Sequence, residues 1–329
     1  MLPPEKILDR LVLVGGPPRS GTTFAAKALN AHPRIVTAMD DPVHECWALY
    51  HYPTRRGLVD DLRQGSLMRA EVVARLKDHL FAGDRFAGVA PSAKTESSPI
   101  SAAPPPPAGI MPGERKVIRH ALPLARFAAD WRLCLKSPEI SFVLPRLADL
   151  LPSARFVLVF RPLAEIAESM FRKSRMVRRQ PVFNRRWEGE TDGEGRLLPP
   201  PGVPAEWTGL WRQGTGFQRC VLNAAAYARA MASGCAALPA ERFFVYDHAR
   251  LRTRPEPLLC ALAAFLGLDA AGFAGVAAAL RPEVPALTRE LEAQFEPLRE
   301  ELGLEALADG LAGLAAQSLS RWGGAGRPA

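Results

Sequence analysis

Apolar residues recur along this chain in short unbroken runs separated by stretches of helical spacing, and that alternation predicts most of its elements. Leu11–Val14 (LVLV) has no polar interruption, the pattern of a strand buried on both faces of a parallel sheet. A turn rich in glycine and proline follows, and Thr22–Ala31 reads as a helix stopped by His32-Pro33. Further strands are expected over Arg34–Ala38, Trp131–Leu135, Arg155–Phe160 and Arg242–Tyr246. Helices are expected over 139–150, Pro162–Ser174 and 256–266, the last closing at Gly267. Leu67, Val72, Val73, Leu76 and Leu80 fall at helical spacing within 66–82, which predicts an amphipathic helix there. Beyond about residue 300 the Ala/Gly-rich tail carries only a weak helical signal and a frayed end. Strands alternating with helices imply an α/β fold, a P-loop-like and mainly parallel β-sheet flanked by helices on both faces.

Two stretches break this pattern. Residues 97–113 contain four consecutive prolines, which remove backbone donors and favour an extended surface loop. Residues 188–205 contain EGETDGEG and LPPPGVP. Both read as surface insertions, either mobile or ordered only over a substrate, in a single α/β domain spanning 1–329.

Composition narrows the picture modestly. Hydrophobic residues make up 48% of the 329, enough for a sizeable core and too many for wholesale disorder. Lys and Arg outnumber Asp and Glu by 42 to 34, a net charge of +8 that suits an anionic ligand. Nucleic acid is disfavoured as a partner because the reading rests on net charge alone, with no interleaved aromatic–basic platform to accompany it. No signal peptide and no transmembrane segment is evident. The odd number of cysteines, with no C-x-x-C pair, reads as reduced and mostly buried thiols, and the expected location is cytoplasmic. The histidines lack paired metal-ligand spacing with cysteines or carboxylates, so a metal-independent chemistry is expected.

The candidate chemistry begins in the turn after the first strand, Gly16-Pro17-Pro18-Arg19-Ser20-Gly21-Thr22-Thr23. Between a strand and a helix, the backbone N–H groups of such a turn converge on one volume, and the helix N-terminus favours an anion. The G-x-x-x-x-G spacing is that of a Walker loop, but Thr22 stands where an NTPase places its lysine. The cation is Arg19, inside the loop, and Ser20, Thr22 and Thr23 add hydroxyl donors.

This loop, with the Ala31-His32-Pro33 that follows its helix, resembles the 5′-phosphosulfate loop of the PAPS-dependent sulfotransferase superfamily. In style it is nearest the tyrosylprotein and bacterial branches, which carry arginine in the loop. The donor that the resemblance implies is 3′-phosphoadenosine-5′-phosphosulfate (PAPS), leaving adenosine 3′,5′-bisphosphate (PAP). Such a donor needs a second anion site. The family pattern of Arg at a strand end and Ser eight positions later is met by Arg161 and Ser169, although Pro162 stands where Asp or Asn is usual. Leu135-Lys136-Ser137-Pro138 resembles the family segment whose lysine acts near the sulfonate, which implies a catalytic role for Lys136 beside Arg19.

For the base, ungapped alignment from the loop puts Asp40 opposite the tyrosylprotein branch's glutamate; Glu45 ranks close to it, with Asp41 and His44 in reach. His120 is read as structural rather than as the base of the small-molecule branch. Phe243-Phe244-Val245-Tyr246-Asp247 resembles a further family strand, in which Tyr246 is either a donor contact or a core tyrosine. The basic run from Arg172 to Arg186 reads mainly as a solvated face, with an acidic acceptor as the alternative. The implied function is sulfonate transfer to a hydroxyl or amine; carbohydrate, peptide, lipid and small phenol acceptors all remain open. The competing readings are a P-loop nucleotide kinase or NTPase, and a donor-binding scaffold that has lost turnover.

Overall fold

The computed structural model describes residues 9–38, 131–176, 190–191, 197–200, 202–277 and 287–323. Among them β1 (Val12–Gly15), β2 (Ile35–Ala38), β3 (Arg132–Lys136), β4 (Arg155–Phe160) and β5 (Phe243–Asp247) form one five-stranded sheet. Its order is β2-β3-β1-β4-β5 and every pairing is parallel. The expected α/β architecture is therefore present, with strands shifted by about one residue at most from the sequence pattern.

Strand alternation distributes side chains between two cores. Leu11, Leu13, Leu133, Leu135, Phe156, Leu158, Phe243 and Val245 pack on one face. Val12, Val14, Cys134, Val157, Val159, Phe244 and Tyr246 pack on the other. The first face is covered by α2 (Leu144–Leu150), α3 (Leu163–Met176) and α4 (Gly216–Ala236); the second by α1 (Thr22–Ala31) and α5 (Pro255–Leu266). Burial on both sides is why β1 carries no polar residue.

The structure corrects two expectations. The helix expected over 139–150 is split into a 3-10 turn, Pro138–Phe142, and α2, with Val143 at φ −133 between them. Pro145 cannot donate to the carbonyl of Ser141 and its ring crowds it, which favours a break there and leaves Pro145 in the first turn of α2. The tail is not a weak helix: α7 (Leu304–Gly323) follows α6 (Arg289–Glu301) and packs against β5 and α5. Leu304, Leu311, Ala315 and Ser318 form its buried stripe, and the Ser318 hydroxyl accepts the N–H of Val245 on the edge strand at 3.0 Å. Packing thus supplies what the Ala/Gly composition lacks. Within the 188–205 insertion, Glu190–Thr191 and Leu197–Leu198 pair as a short antiparallel ribbon, so this stretch includes regular structure.

The helix expected at 66–82, the proline-rich stretch 97–113, His120 and the basic residues from Arg178 to Arg186 lie outside the described residues. Cys134 and Cys235 are buried free thiols, while Cys260 is exposed. Burial pushes the Cys134 and Cys235 thiols up to about 12, which holds both protonated.

Candidate active site

The carboxyl ends of parallel strands gather on one edge of the sheet, where ligands of open α/β folds bind. Here that edge carries the loop after β1, Lys136 at the end of β3, Arg161 after β4 and His248 after β5. Gly16 lies so close to β4 that a Cβ would stand 2.5 Å from the Val159 carbonyl oxygen. Its N–H donates to Ser141 Oγ, in the 3-10 turn, at 3.0 Å, a buried bond. The turn closes through Ser20 N–H to Pro17 O at 3.0 Å. Arg19 takes φ +70, which makes it the one non-glycine residue with positive φ among the described residues. Such a conformation costs about 1–2 kcal/mol and persists where the surroundings enforce it.

Gly21 begins α1 at φ +106 with no side-chain cap, and the first turn has no acidic residue. The first N–H groups of the helix are thus left for an anion. Ser20 is fully buried and its hydroxyl has no partner among the described residues.

The Nε of Arg19 donates to Ser169 Oγ at 3.2 Å, joining residues 150 positions apart. Arg161 Nη1 approaches the Arg19 carbonyl at 3.4 Å, and Arg161 Nε is ion-paired with Glu165 at 2.7 Å. Burial, and secondarily the Arg161 charge, lower the pKa of Arg19. A cavity of about 330 Å³ opens here. Arg19, Gly21, Thr22 and Thr23 line it from the loop, and Arg161 and Ser169 from the turn after β4 and α3. The loop and the Arg161/Ser169 pair therefore share one cavity.

A family model described as "Sulfotransferase family" matches residues 12–192, more than half of the chain. The chain belongs to the sulfotransferase family. Its fold is also similar to a sulfotransferase of Alicyclobacillus acidocaldarius at 15% identity, covering 94% of this chain and 97% of that one with a TM-score of 0.47. A sulfotransferase of Mycobacterium avium aligns at 15% identity over 90% and 79% of the two chains, TM-score 0.43. The sulfotransferase domain of a Synechococcus olefin synthase aligns at 16% identity over 94% and 93%, TM-score 0.37. No curated protein sequence matches the chain.

Within this sulfotransferase, Lys136 sits at the end of β3 in register with Val14, and the N–H of the next residue, Ser137, donates to Val14 O at 3.0 Å. It stands one strand from the loop and is half-buried, but it is not among the residues lining the cavity. Behind it lies a buried carboxylate, Glu139, which accepts from Ser137 Oγ and from the Tyr227 hydroxyl at 3.4 Å. Tyr246 is fully buried in the core on the α1 and α5 face, and it does not line the cavity. Burial and the neighbouring Asp247 raise its pKa. Asp247 caps the short helix His248–Thr253 through the N–H groups of Ala249 and Arg250. Arg172 pairs with the buried Glu168 at 2.6 Å. Asp40, Asp41, His44 and Glu45 lie outside the described residues.

Three site residues escaped the sequence reading. Phe24 and Lys27 line the cavity from α1, one a neighbour of Thr23 and the other a turn further on. His248 packs against the loop: a Cβ on Gly21 would be 2.8 Å from its Nδ1, and its ring meets Phe24 edge-on at 5.9 Å between centroids. Nδ1 is buried and without a partner among the described residues. Burial, then the charges of Arg161 and Arg252, pull its pKa down to about 4, so the ring is neutral at pH 7. Its place just after a strand of the same sheet was the available signal.

Proposed function

We propose that this sulfotransferase moves a sulfonate group from PAPS to a hydroxyl or amine acceptor. The observation that carries the reading is the Arg19–Ser169 hydrogen bond at 3.2 Å, which joins the loop motif to the Arg161/Ser169 motif at one cavity. A nucleotide with phosphate at only one position needs one such motif, and a 3′,5′-substituted nucleotide needs two.

The residues present fit the donor. The unpartnered buried Ser20 hydroxyl, the uncapped start of α1 and two glycines that admit no side chain make a cradle for the 5′ end. Arg161 and Ser169 would hold the 3′-phosphate, and Phe24 offers an apolar wall beside them. When bound, the donor supplies the sulfonate and a phosphate leaving group on which negative charge builds during transfer. Arg19 would balance that charge, and Lys136 is the second cation assigned to the transfer step. Glu165 holds the Arg161 guanidinium in place before binding. The acceptor's proton is assigned to a carboxylate of the Asp40–Glu45 segment.

Titration calorimetry with PAP, AMP and ATP tests the reading. PAP is expected to bind far more tightly than AMP, and Arg161→Ala to erase most of the difference, a loss of about 10-fold to 100-fold for a charge-assisted contact. Equal binding of PAP and AMP by the unsubstituted protein would overturn the donor assignment.

A further inference from the structure

The edge of the sheet opposite the donor cavity carries its own pattern. Each of the five adjacent strands is entered through an arginine: Arg34 before β2, Arg132 opening β3, Arg10 just ahead of β1, Arg155 opening β4 and Arg242 before β5. Register makes them neighbours. The Arg132 N–H donates to Arg34 O at 2.8 Å, the Arg155 N–H to Leu11 O at 2.9 Å, and the Phe156 N–H to Arg242 O at 2.9 Å. With strands about 4.8 Å apart, the row runs about 19 Å across the molecule.

Some of the row has an internal explanation. Arg242 donates to Leu151 O at 2.9 Å and Ala154 O at 3.1 Å, closing the end of α2. The Arg155 guanidinium lies over the Phe265 ring at 5.3 Å. Arg10 has neither role, and Arg132 Nη2 lies beside Gly267 at the end of α5, 3.6 Å from where a Cβ would stand. Among the described residues, Arg10, Arg132 and Arg155 form no ion pair. Asp149 faces Arg242 and Asp269 faces His32, and Glu241 is paired with Arg321. Arg132 is half-buried and sits amid Arg155, Arg10 and Arg34; burial and those like charges bring it down to about 10. A partly buried cation surrounded by cations is unfavourable until an anion joins it.

We propose that this edge holds a second anion site, centred on Arg132 with Arg10 and Arg155 around it, for an oxyanion of the phosphate or sulfate class. It is separated from the donor cavity by the length of the strands, about 15 Å, and does not depend on what that cavity binds. The alternative role for the row is purely structural: at this edge the helices end, and arginines offset the partial negative charge of their last carbonyls.

Calorimetry on the full chain with inorganic pyrophosphate, at ionic strength held constant with sodium chloride, separates the two roles. The unsubstituted protein is expected to bind one equivalent that persists when the donor cavity is disabled by Arg161→Gln. Adding Arg132→Gln is expected to weaken that equivalent at least about tenfold, as loss of a charge-assisted contact does. Phenyl phosphate in a parallel arm tells whether the site takes an ester-borne group as well as a free oxyanion. Should Arg132→Gln not fold, the exposed Arg10→Gln replaces it, with the same direction of effect expected. Unchanged pyrophosphate binding in the variant, with or without a lower melting temperature, would leave only the structural role and overturn the proposal.

Discussion

Gly21→Ala separates two reasons for a glycine at the entrance to α1. The first is local: at φ +106 a side chain costs about 1–2 kcal/mol, whatever surrounds it. The second is tertiary, because the new Cβ would stand 2.8 Å from His248 Nδ1, and overpacking of this kind costs about 1–3 kcal/mol. Together they predict a loss of about 2–5 kcal/mol, against a typical total stability of about 5–15 kcal/mol. His248→Ala removes the obstructing ring and leaves the φ term untouched. In a double-mutant cycle read by urea unfolding, the double variant is expected to be about 1–3 kcal/mol more stable than the sum of the single losses. Additivity within about 0.5 kcal/mol would refute the contact, and with it the placement of His248 against the loop. Gly16→Ala is the contrasting case, since its obstacle is the Val159 backbone oxygen and no second substitution can relieve it.

Stability is expected to fall as pH drops from 6.5 toward 4. His32 and His248 both have folded pKa values below the ordinary 6.5, so the unfolded chain binds more protons in that window; the contribution is complete above pH 6.5 and is lost as pH falls through the folded values. Unfolding midpoints measured across pH 4–7 check this, and His248→Ala should flatten the slope. Ser141→Ala strands the buried Gly16 N–H and is expected to cost about 1–3 kcal/mol by urea unfolding, with weaker PAP binding. Lys136→Ala is expected to lower kcat by about 10²–10³ with an unchanged circular dichroism spectrum; wild-type turnover would remove it from the transfer step.

What the sequence made legible was local. The loop from Gly16 to Thr23 could be read because its signal is contiguous and because a strand and a helix flank it. The Arg161/Ser169 pair could be read because both lie on one strand-to-helix turn. His248 could not, since its meeting with Gly21 depends on where β5 lies in the sheet. The long helix α4 went unread although Thr215 and Gln218 form a capping box at its start. Its Ala, Gly and Cys residues are buried around most of its circumference, which leaves no polar face to create a helical period. His32 shows a third kind of loss. Its Nδ1 accepts the Arg34 N–H at 3.1 Å and its Nε2–H donates to Asp269 O at 3.0 Å, fixing a neutral ring. A Cβ on Gly272 would stand 2.2 Å from that ring. The motif residue is thus a structural pin, two of whose neighbours, Asp269 and Gly272, lie over 230 positions away.

The arginine row bears on how net charge should be read. A surplus of +8 suits any anion, and on composition alone it belongs to the molecule as a whole. The parallel sheet gives that surplus an address, because every strand has the same polarity and its two ends face different edges. Cations at the carboxyl ends, Arg19 and Arg161 among them, face the uncapped start of α1, where helix polarity and side-chain charge both favour an anion. Arginines at the amino ends stand near helix C-termini, whose partial charge opposes an anion. An anion there must be held by side chains alone, without the backbone cradle that the loop provides. It should therefore bind more weakly and with a steeper dependence on salt than PAP does at the loop. Comparing the salt dependence of pyrophosphate and PAP binding in the same protein would expose that difference directly, and equal slopes would contradict it.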